Sequence, residues 1–217
     1  MRKNRRRIFL AGDSTVQAYQ KDSNQGGWGE FLTHFLPEEI QVLNHAIGGR
    51  SSKTFVEEGR LQMLLEEMNE NDYLLIQMGH NDSTKSKPER YTEPYTTYKT
   101  YLSKYIEGAQ EVNAIPILIT PVARLHIENG QFLNDFPDYC LAMKQLAEEK
   151  KVKLIDLMDK SLSYYRSIGY EQSFQLFMAS INETDYTHFT KKGAKEMAKL
   201  VAEALEELEL EVFEVMK

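Results

Sequence analysis

The chain has 217 residues, of which 41% are apolar and 27% charged, enough for a buried core in one domain and too apolar for a disordered chain. Its 26 Lys and Arg against 33 Asp and Glu leave a formal charge of −7, which argues against a general nucleic-acid binder, because counterion release needs a basic face. No run approaches the roughly 18–20 apolar residues of a membrane span, and the single cysteine, Cys140, excludes an internal disulfide and a thiolate metal cage.

Residues 1–6 read as a basic lead-in. Arg5-Arg6-Arg7 brushes against a twin-arginine pattern, yet the apolar run Ile8–Ala11 stops at Gly12-Asp13, short of the roughly 7–15 residues of an export signal. The expectation is a cytoplasmic protein. Compact apolar runs then mark strands at Arg7–Ala11, Ile40–Asn44, Tyr73–Met78, Ile115–Thr120 and Val152–Asp156, as expected for strands covered on both faces. Pro116 lies near the start of its strand, where a missing N–H is tolerable. Between them, residues 28–36, Arg60–Met68, Tyr95–Val112, Pro137–Lys150 and Lys191–Leu208 carry apolar residues at helical spacing. Residues 209–217 form an acidic tail that extends the last helix or frays.

Strand and helix alternate throughout, and no linker divides residues 1–217. The pattern predicts one α/β domain with a doubly wound, flavodoxin-like, parallel five-stranded sheet and helices on both faces. Ligands of such sheets bind beyond the carboxyl ends of the strands, so chemistry is expected in the loops 12–26, 45–58, 79–94, 121–136 and 157–190.

Gly12-Asp13-Ser14-Thr15 follows the first strand. A serine there is a nucleophile if a base takes its proton; equally, Asp-Ser-Thr caps a helix. Ala46-Ile47-Gly48-Gly49-Arg50 exposes backbone N–H groups or simply turns. Gly79-His80-Asn81-Asp82 offers the Asn81 amide as a donor or forms an Asx-turn, with Asp82 as a turn residue. In Thr184-Asp185-Tyr186-Thr187-His188, Asp185 is close enough to orient the His188 imidazole and leave its other nitrogen free as a base; alternatively His188 is a surface residue beside Thr190, an N-cap. Each motif is ambiguous alone. Together they supply a nucleophile, a base with its orienting acid, and oxyanion donors, the set that acyl transfer needs.

These four blocks, Gly12-Asp13-Ser14, Gly49, Gly79-His80-Asn81-Asp82 and Asp185-Tyr186-Thr187-His188, in that order over most of the length, resemble those of the SGNH (GDSL-type) hydrolases. Within that group the chain looks most like the rhamnogalacturonan acetylesterases, through Gly12-Asp13-Ser14-Thr15-Val16, Gly26-Gly27-Trp28-Gly29, Gly49-Arg50-Ser51-Ser52 with Glu58-Gly59-Arg60, and Thr187-His188-Phe189-Thr190. The resemblance implies Ser14 as nucleophile, His188 as base, Asp185 as its orienting acid, and Ser14 N–H, Gly49 N–H and the Asn81 amide as the oxyanion hole. It implies no metal or organic cofactor. The expected substrate is an acetylated plant cell-wall saccharide, as an oligosaccharide fragment if the protein is cytoplasmic, with no nucleic-acid or membrane partner. The sequence does not give an oligomeric state. A lipid or thioester acyl hydrolase of the same group, and a non-catalytic carbohydrate-binding module, are the alternatives.

Three residues are candidates for substrate contact: Trp28 and Tyr186 by stacking on a sugar, and His80, which equally shapes the loop beside Asn81. Trp28 also fits a core helix face. His34 and His45 read as packing or surface histidines, His126 has no assigned role, and the tyrosines of 95–105 read as amphipathic packing.

Overall fold

The computed structural model describes residues 6–210. The basic lead-in and the acidic tail therefore lie outside the described residues, except for Arg6, Glu209 and Leu210. Five strands, β1 (Arg7–Gly12), β2 (Gln41–Asn44), β3 (Tyr73–Gln77), β4 (Ile115–Ile119) and β5 (Lys153–Ile155), form one sheet in the order β2-β1-β3-β4-β5. Every neighbouring pair is parallel. This is the doubly wound order with its switch point beside β1. Residue by residue, Leu10 faces Leu75, which faces Ile117, so the three central strands stack aliphatic side chains across the sheet. All of β3 is buried, which is why it reads as an uninterrupted apolar run rather than an alternating one.

One face of the sheet carries the turn Trp28–Phe31 and the helix Lys191–Glu207; the other carries Arg60–Glu67, Lys99–Glu111 and Pro137–Lys150. Ala194, Met197, Ala198, Val201 and Leu205 form the buried stripe of Lys191–Glu207, whose first turn is capped by the Thr190 hydroxyl accepting from Gly193 N–H at 3.2 Å. The helix stops at Glu207. Among the described residues no helix is long and apolar enough to cross a membrane.

Several elements differ from expectation, three of them near the site. Residues 28–36 split into a helical turn, Trp28–Phe31, and a 3-10 turn, Leu32–Phe35. Ser52–Glu57 is a helix opened by a capping box in which Ser51 and Thr54 exchange hydrogen bonds. The stretch 157–190 was expected as loop, but Leu157–Ile168 is helical, capped by Asp156 and burying Leu157, Met158, Ser161, Leu162 and Tyr165. It packs over the loop that follows β4, since Ser161 Oγ accepts from Ala123 N–H at 3.1 Å.

A ladder only two residues long joins the loop after β1 to the segment before the last helix. Gln25–Gly26, in the loop after β1, pairs antiparallel with Phe189–Thr190, and Lys191 N–H donates to the Asn24 carbonyl at 3.1 Å. Phe189 is fully buried and also bridges to Phe177. The loop carrying His188 is thus stitched to the loop carrying Ser14.

Candidate active site

Beyond Gly12 the chain turns sharply. The Asp13 carbonyl accepts from Val16 and Gln17 N–H at 3.1 and 3.0 Å. Its carboxylate bends back to take the Thr15 N–H at 2.9 Å and hydroxyl at 2.8 Å, an Asx-turn with Ser14 at its tip. The turn does not lead directly into a helix, so the capping reading of Asp-Ser-Thr does not apply. The Tyr19 hydroxyl donates to the Ser14 carbonyl at 2.9 Å. Burial, with Asp13 nearby, pushes Tyr19 up to about 12, so it keeps the proton it donates.

Ser14 Oγ lies 2.9 Å from His188 Nε2, across 174 residues of sequence. The opposite ring nitrogen, Nδ1, is 2.8 Å from Asp185 Oδ2, while Asp185 Oδ1 accepts the Thr187 and His188 N–H groups at 3.0 Å each. Burial alone would raise the Asp185 carboxyl, but these donors outweigh it and hold it below the usual carboxylate value. A carboxylate so held fixes the tautomer that leaves Nε2 free to accept the serine proton. The Asp185–His188 turn is anchored through its own carbonyls: Asp185 accepts from Ala179 N–H, Tyr186 from Leu125 N–H and His188 from Met178 N–H, at 2.8–2.9 Å. Thr190 caps the next helix, as expected, while His188 is only partly exposed and meets a partner at each ring nitrogen, so it is not a free surface histidine.

Gly49 and Asn81 meet beside this dyad through Arg50. Gly49 has φ of +80°, a backbone that favours glycine. The Gly48 N–H is held by the Gln17 side chain, and the Gly48 carbonyl accepts from Arg50 Nη1 at 3.0 Å. That carbonyl shares a planar trans peptide with Gly49 N–H, so gripping one end aims the other. Arg50 is itself tied to Glu58 at 3.1 Å, and its carbonyl accepts one N–H of the Asn81 amide at 2.9 Å, leaving the second free. Among the described residues the Ser14 and Gly49 N–H groups have no hydrogen-bond acceptor. Three unspent donors thus belong to the loops around one serine hydroxyl, an arrangement able to receive the oxygen of a tetrahedral intermediate.

The remaining expectations divide. Trp28 is 1% exposed and its Nε1 donates to Gln77 Oε1 at 2.8 Å; it is a core residue, which corrects its proposed stacking on a sugar. His80 is 5% exposed, with Nδ1 3.1 Å from Asp13 and Nε2 3.0 Å from the Val122 carbonyl. Both nitrogens are occupied, so substrate contact is corrected to a clamp between the loops. Burial pulls the Asp13 carboxyl upward, but His80 and Thr15 more than reverse it. Asp82 lies in the turn, as expected, and is fully buried there, taking Ser52 N–H at 3.0 Å and the Ser52 and Thr92 hydroxyls, and burial pushes it up to about 6. Tyr186 is 40% exposed on the rim. His34 is exposed, His45 stacks on Phe9 at 5.7 Å, and His126 is held by Asp135 at 2.6 Å.

Sequence reasoning missed Asp13, Gln17, Tyr19, Arg50 and Gln77 as supports. Gln77 alone carried a signal, a polar residue at the end of the apolar run Tyr73–Met78. It is buried, and its amide donates to the Thr15 hydroxyl at 2.6 Å.

The sequence model of the family described as GDSL-like lipase/acylhydrolase matches residues 8–201. A Bacillus subtilis (strain 168) protein named probable rhamnogalacturonan acetylesterase YesY is 65% identical, over 95% of each chain. Rhamnogalacturonan acetylesterase RhgT of the same organism is 44% identical, over 94% of this chain and 90% of that one. Among solved structures, YxiM of Bacillus subtilis superposes with a TM-score of 0.86 at 31% identity, covering 96% of this chain and 58% of that one. Axe2, an acetylxylan esterase from Geobacillus stearothermophilus, shares the fold, with a TM-score of 0.67 at 16% identity over 95% of each chain.

Proposed function

The chain belongs to the GDSL-like lipase/acylhydrolase family, and from that premise we propose that it is a serine esterase removing acetyl groups from acetylated pectic saccharides, rhamnogalacturonan fragments in particular. The observation that carries the proposal is the 2.9 Å approach of Ser14 Oγ to an imidazole whose other nitrogen is held by Asp185. The substrate class is supported by YesY and RhgT, whose similarity extends over nine-tenths or more of this chain; it favours a sugar ester over a lipid or thioester.

In the proposed reaction Ser14 Oγ attacks the acetyl carbonyl as its proton passes to His188 Nε2. The carbonyl oxygen takes up negative charge among the Ser14 and Gly49 N–H groups and the free Asn81 N–H. As the C–O bond to the sugar breaks, the imidazolium returns that proton to the departing hydroxyl, leaving an acetyl-serine. His188 then takes a proton from water, whose oxygen attacks the acetyl carbon, and acetate leaves as Ser14 regains its hydrogen. Asp185 remains ionised throughout and stabilises the imidazolium.

The test is acetate release from acetylated rhamnogalacturonan oligosaccharides, with acetylated xylan fragments as the comparison. Wild type is expected to prefer the former, and Ser14→Ala to lose on the order of a thousandfold or more in turnover while its melting temperature stays put. A Ser14→Ala protein that still releases acetate at near-wild-type rate would refute the assignment.

A further inference from the structure

Six large apolar side chains are exposed among the described residues: Met63, Tyr95, Leu141, Tyr170, Ile181 and Tyr186. Three of the six fall within 170–186, the stretch that runs into the Asp185–His188 turn. Exposed apolar groups concentrated beside a reactive centre mark a binding surface. The surface has an order to it. The Tyr186 ring lies 6.3 Å from Phe174, and Phe174 lies 6.0 Å from Tyr170, so three rings form a continuous strip leading away from the catalytic turn. Neither the Tyr170 nor the Tyr186 hydroxyl is engaged by another described residue.

At its far end Tyr170 borders a cavity of about 960 Å³, walled by Arg166 and Gly169 on one side and by Gln131 and Phe132 of the hairpin Ile127–Phe132 on the other. The two ends share a support. Leu125, just before that hairpin, donates its N–H to the Tyr186 carbonyl at 2.9 Å, and Leu133, just after it, donates to the His126 carbonyl at 2.9 Å. In a chain of net charge −7, Arg166 has no carboxylate partner among the described residues.

We infer that this strip and cavity are a distal saccharide subsite: the rings of Tyr186, Phe174 and Tyr170 carry the oligosaccharide away from the scissile ester, and Arg166 binds the carboxylate of a uronate unit further along it. The inference rests on the proposed acetylesterase reading. Each part of the surface matches a part of such a ligand. The C–H faces of a pyranose lie against aromatic π-faces, which carry negative charge density. Phenolic hydroxyls exchange hydrogen bonds with sugar hydroxyls. A guanidinium takes a carboxylate through two parallel bonds. An acyl chain would use the rings but gain nothing from a cation in the cavity.

The experiment compares Tyr170→Ala and Arg166→Gln with wild type on two substrates: acetylated galacturonate-containing oligosaccharides of increasing length, and p-nitrophenyl acetate, which is too short to reach the cavity. Both variants are expected to raise KM about tenfold on the longer oligosaccharides, with kcat and the p-nitrophenyl acetate rate within about twofold of wild type. Methyl esterification of the uronate carboxylates should abolish the difference between Arg166→Gln and wild type while leaving the Tyr170→Ala deficit. Arg166→Lys should recover part of the loss. Wild-type KM values in both variants, a loss independent of oligosaccharide length, or an Arg166→Gln deficit that persists on the esterified substrate would overturn the inference. Failure of the parent reading looks different: wild type would then cleave p-nitrophenyl acetate and leave every acetylated uronate oligosaccharide intact. In that case binding of unacetylated oligosaccharide to Ser14→Ala, measured by calorimetry, still decides the subsite, being weakened about tenfold by Tyr170→Ala if it exists and unchanged if it does not.

Discussion

Asp13 carries more of the nucleophile loop than Ser14 does. It closes the turn through Thr15 and reaches His80, whose neighbour Asn81 supplies an amide to the same site. Arg50 has a comparable place on the other side, because two consecutive glycines leave the Gly48–Gly49 peptide free to flip unless something holds it. Replacing Arg50 with Ala frees that carbonyl, and turnover on p-nitrophenyl acetate should fall about 10–100-fold, less than the 10²–10³ of deleting an oxyanion donor outright. KM should hardly move, since in the proposed mechanism the aimed N–H acts on the intermediate; a KM effect with unchanged kcat would contradict that role. Asp82 yields a prediction in pH. Its folded carboxyl titrates at about 6 against 3.8 for the ordinary group, so the folded state holds the proton more tightly than the unfolded chain. Its contribution to stability is fully present below about pH 4 and is lost as pH rises through 6. Relative to Asp82→Asn, the wild type should therefore lose on the order of 2–3 kcal/mol between pH 4 and 7. Urea unfolding of both proteins at the two pH values measures it, and a difference that does not change with pH would count against it. The residues of the proposed site were legible because they sit in loops that follow a strand or precede a helix, where the fold class says to look. Asp13–His80, Asp82–Ser52 and Arg50–Gly48 were not, because each joins groups whose meeting depends on the shapes of loops rather than on local pattern.

Elements with many buried residues read easily and short ones did not. The five strands lie within a residue or two of the positions expected from composition, since two-sided burial writes continuous Val, Ile and Leu runs. Leu157–Ile168 escaped because Asp159, Lys160, Ser161 and Ser163 dilute its apolar stripe, although Asp156 caps it through Asp159 N–H. Ser52–Glu57 is a short helix opened by a Thr where a capping box usually has Glu or Gln. The ladder of Gln25–Gly26 with Phe189–Thr190 is too brief to show any period, yet it joins the two halves of the site. Thr190 ends that ladder and caps the following helix, and its hydroxyl also lies 3.2 Å from the Leu176 carbonyl. Thr190→Ala should cost about 1–2 kcal/mol, a fall of about 2–8 °C in melting temperature for a chain of this size. The ladder itself uses backbone groups, so activity per folded molecule should survive. Calorimetry paired with an ester assay at 25 °C tests both halves, and an intact melting temperature would show that the cap contributes nothing.

For the molecule as a whole, the question is whether the site can come apart while the fold remains. Ser14 leaves the end of β1, at the centre of the sheet, whereas His188 arrives on a segment outside the sheet and 174 residues later. Loop-borne sites of that kind often belong to the least stable part of a protein. Here the attachments point the other way. Phe177 and Phe189 on either side of the catalytic turn are fully buried and belong to the same apolar cluster as Phe9 and Leu10 of β1 and as Met197 and Val201 of the helix that follows. Releasing His188 from Ser14 by local unfolding would pull both phenylalanines from that cluster, at about 3–5 kcal/mol apiece if their loss resembles truncation to Ala. That is a large share of the stability of an ordinary domain. Loss of esterase activity and loss of far-UV circular dichroism should therefore follow one urea curve with one midpoint. An activity midpoint lying well below the spectroscopic one would mean that the segment 170–190 opens by itself, and that the two buried rings do not couple it to the sheet.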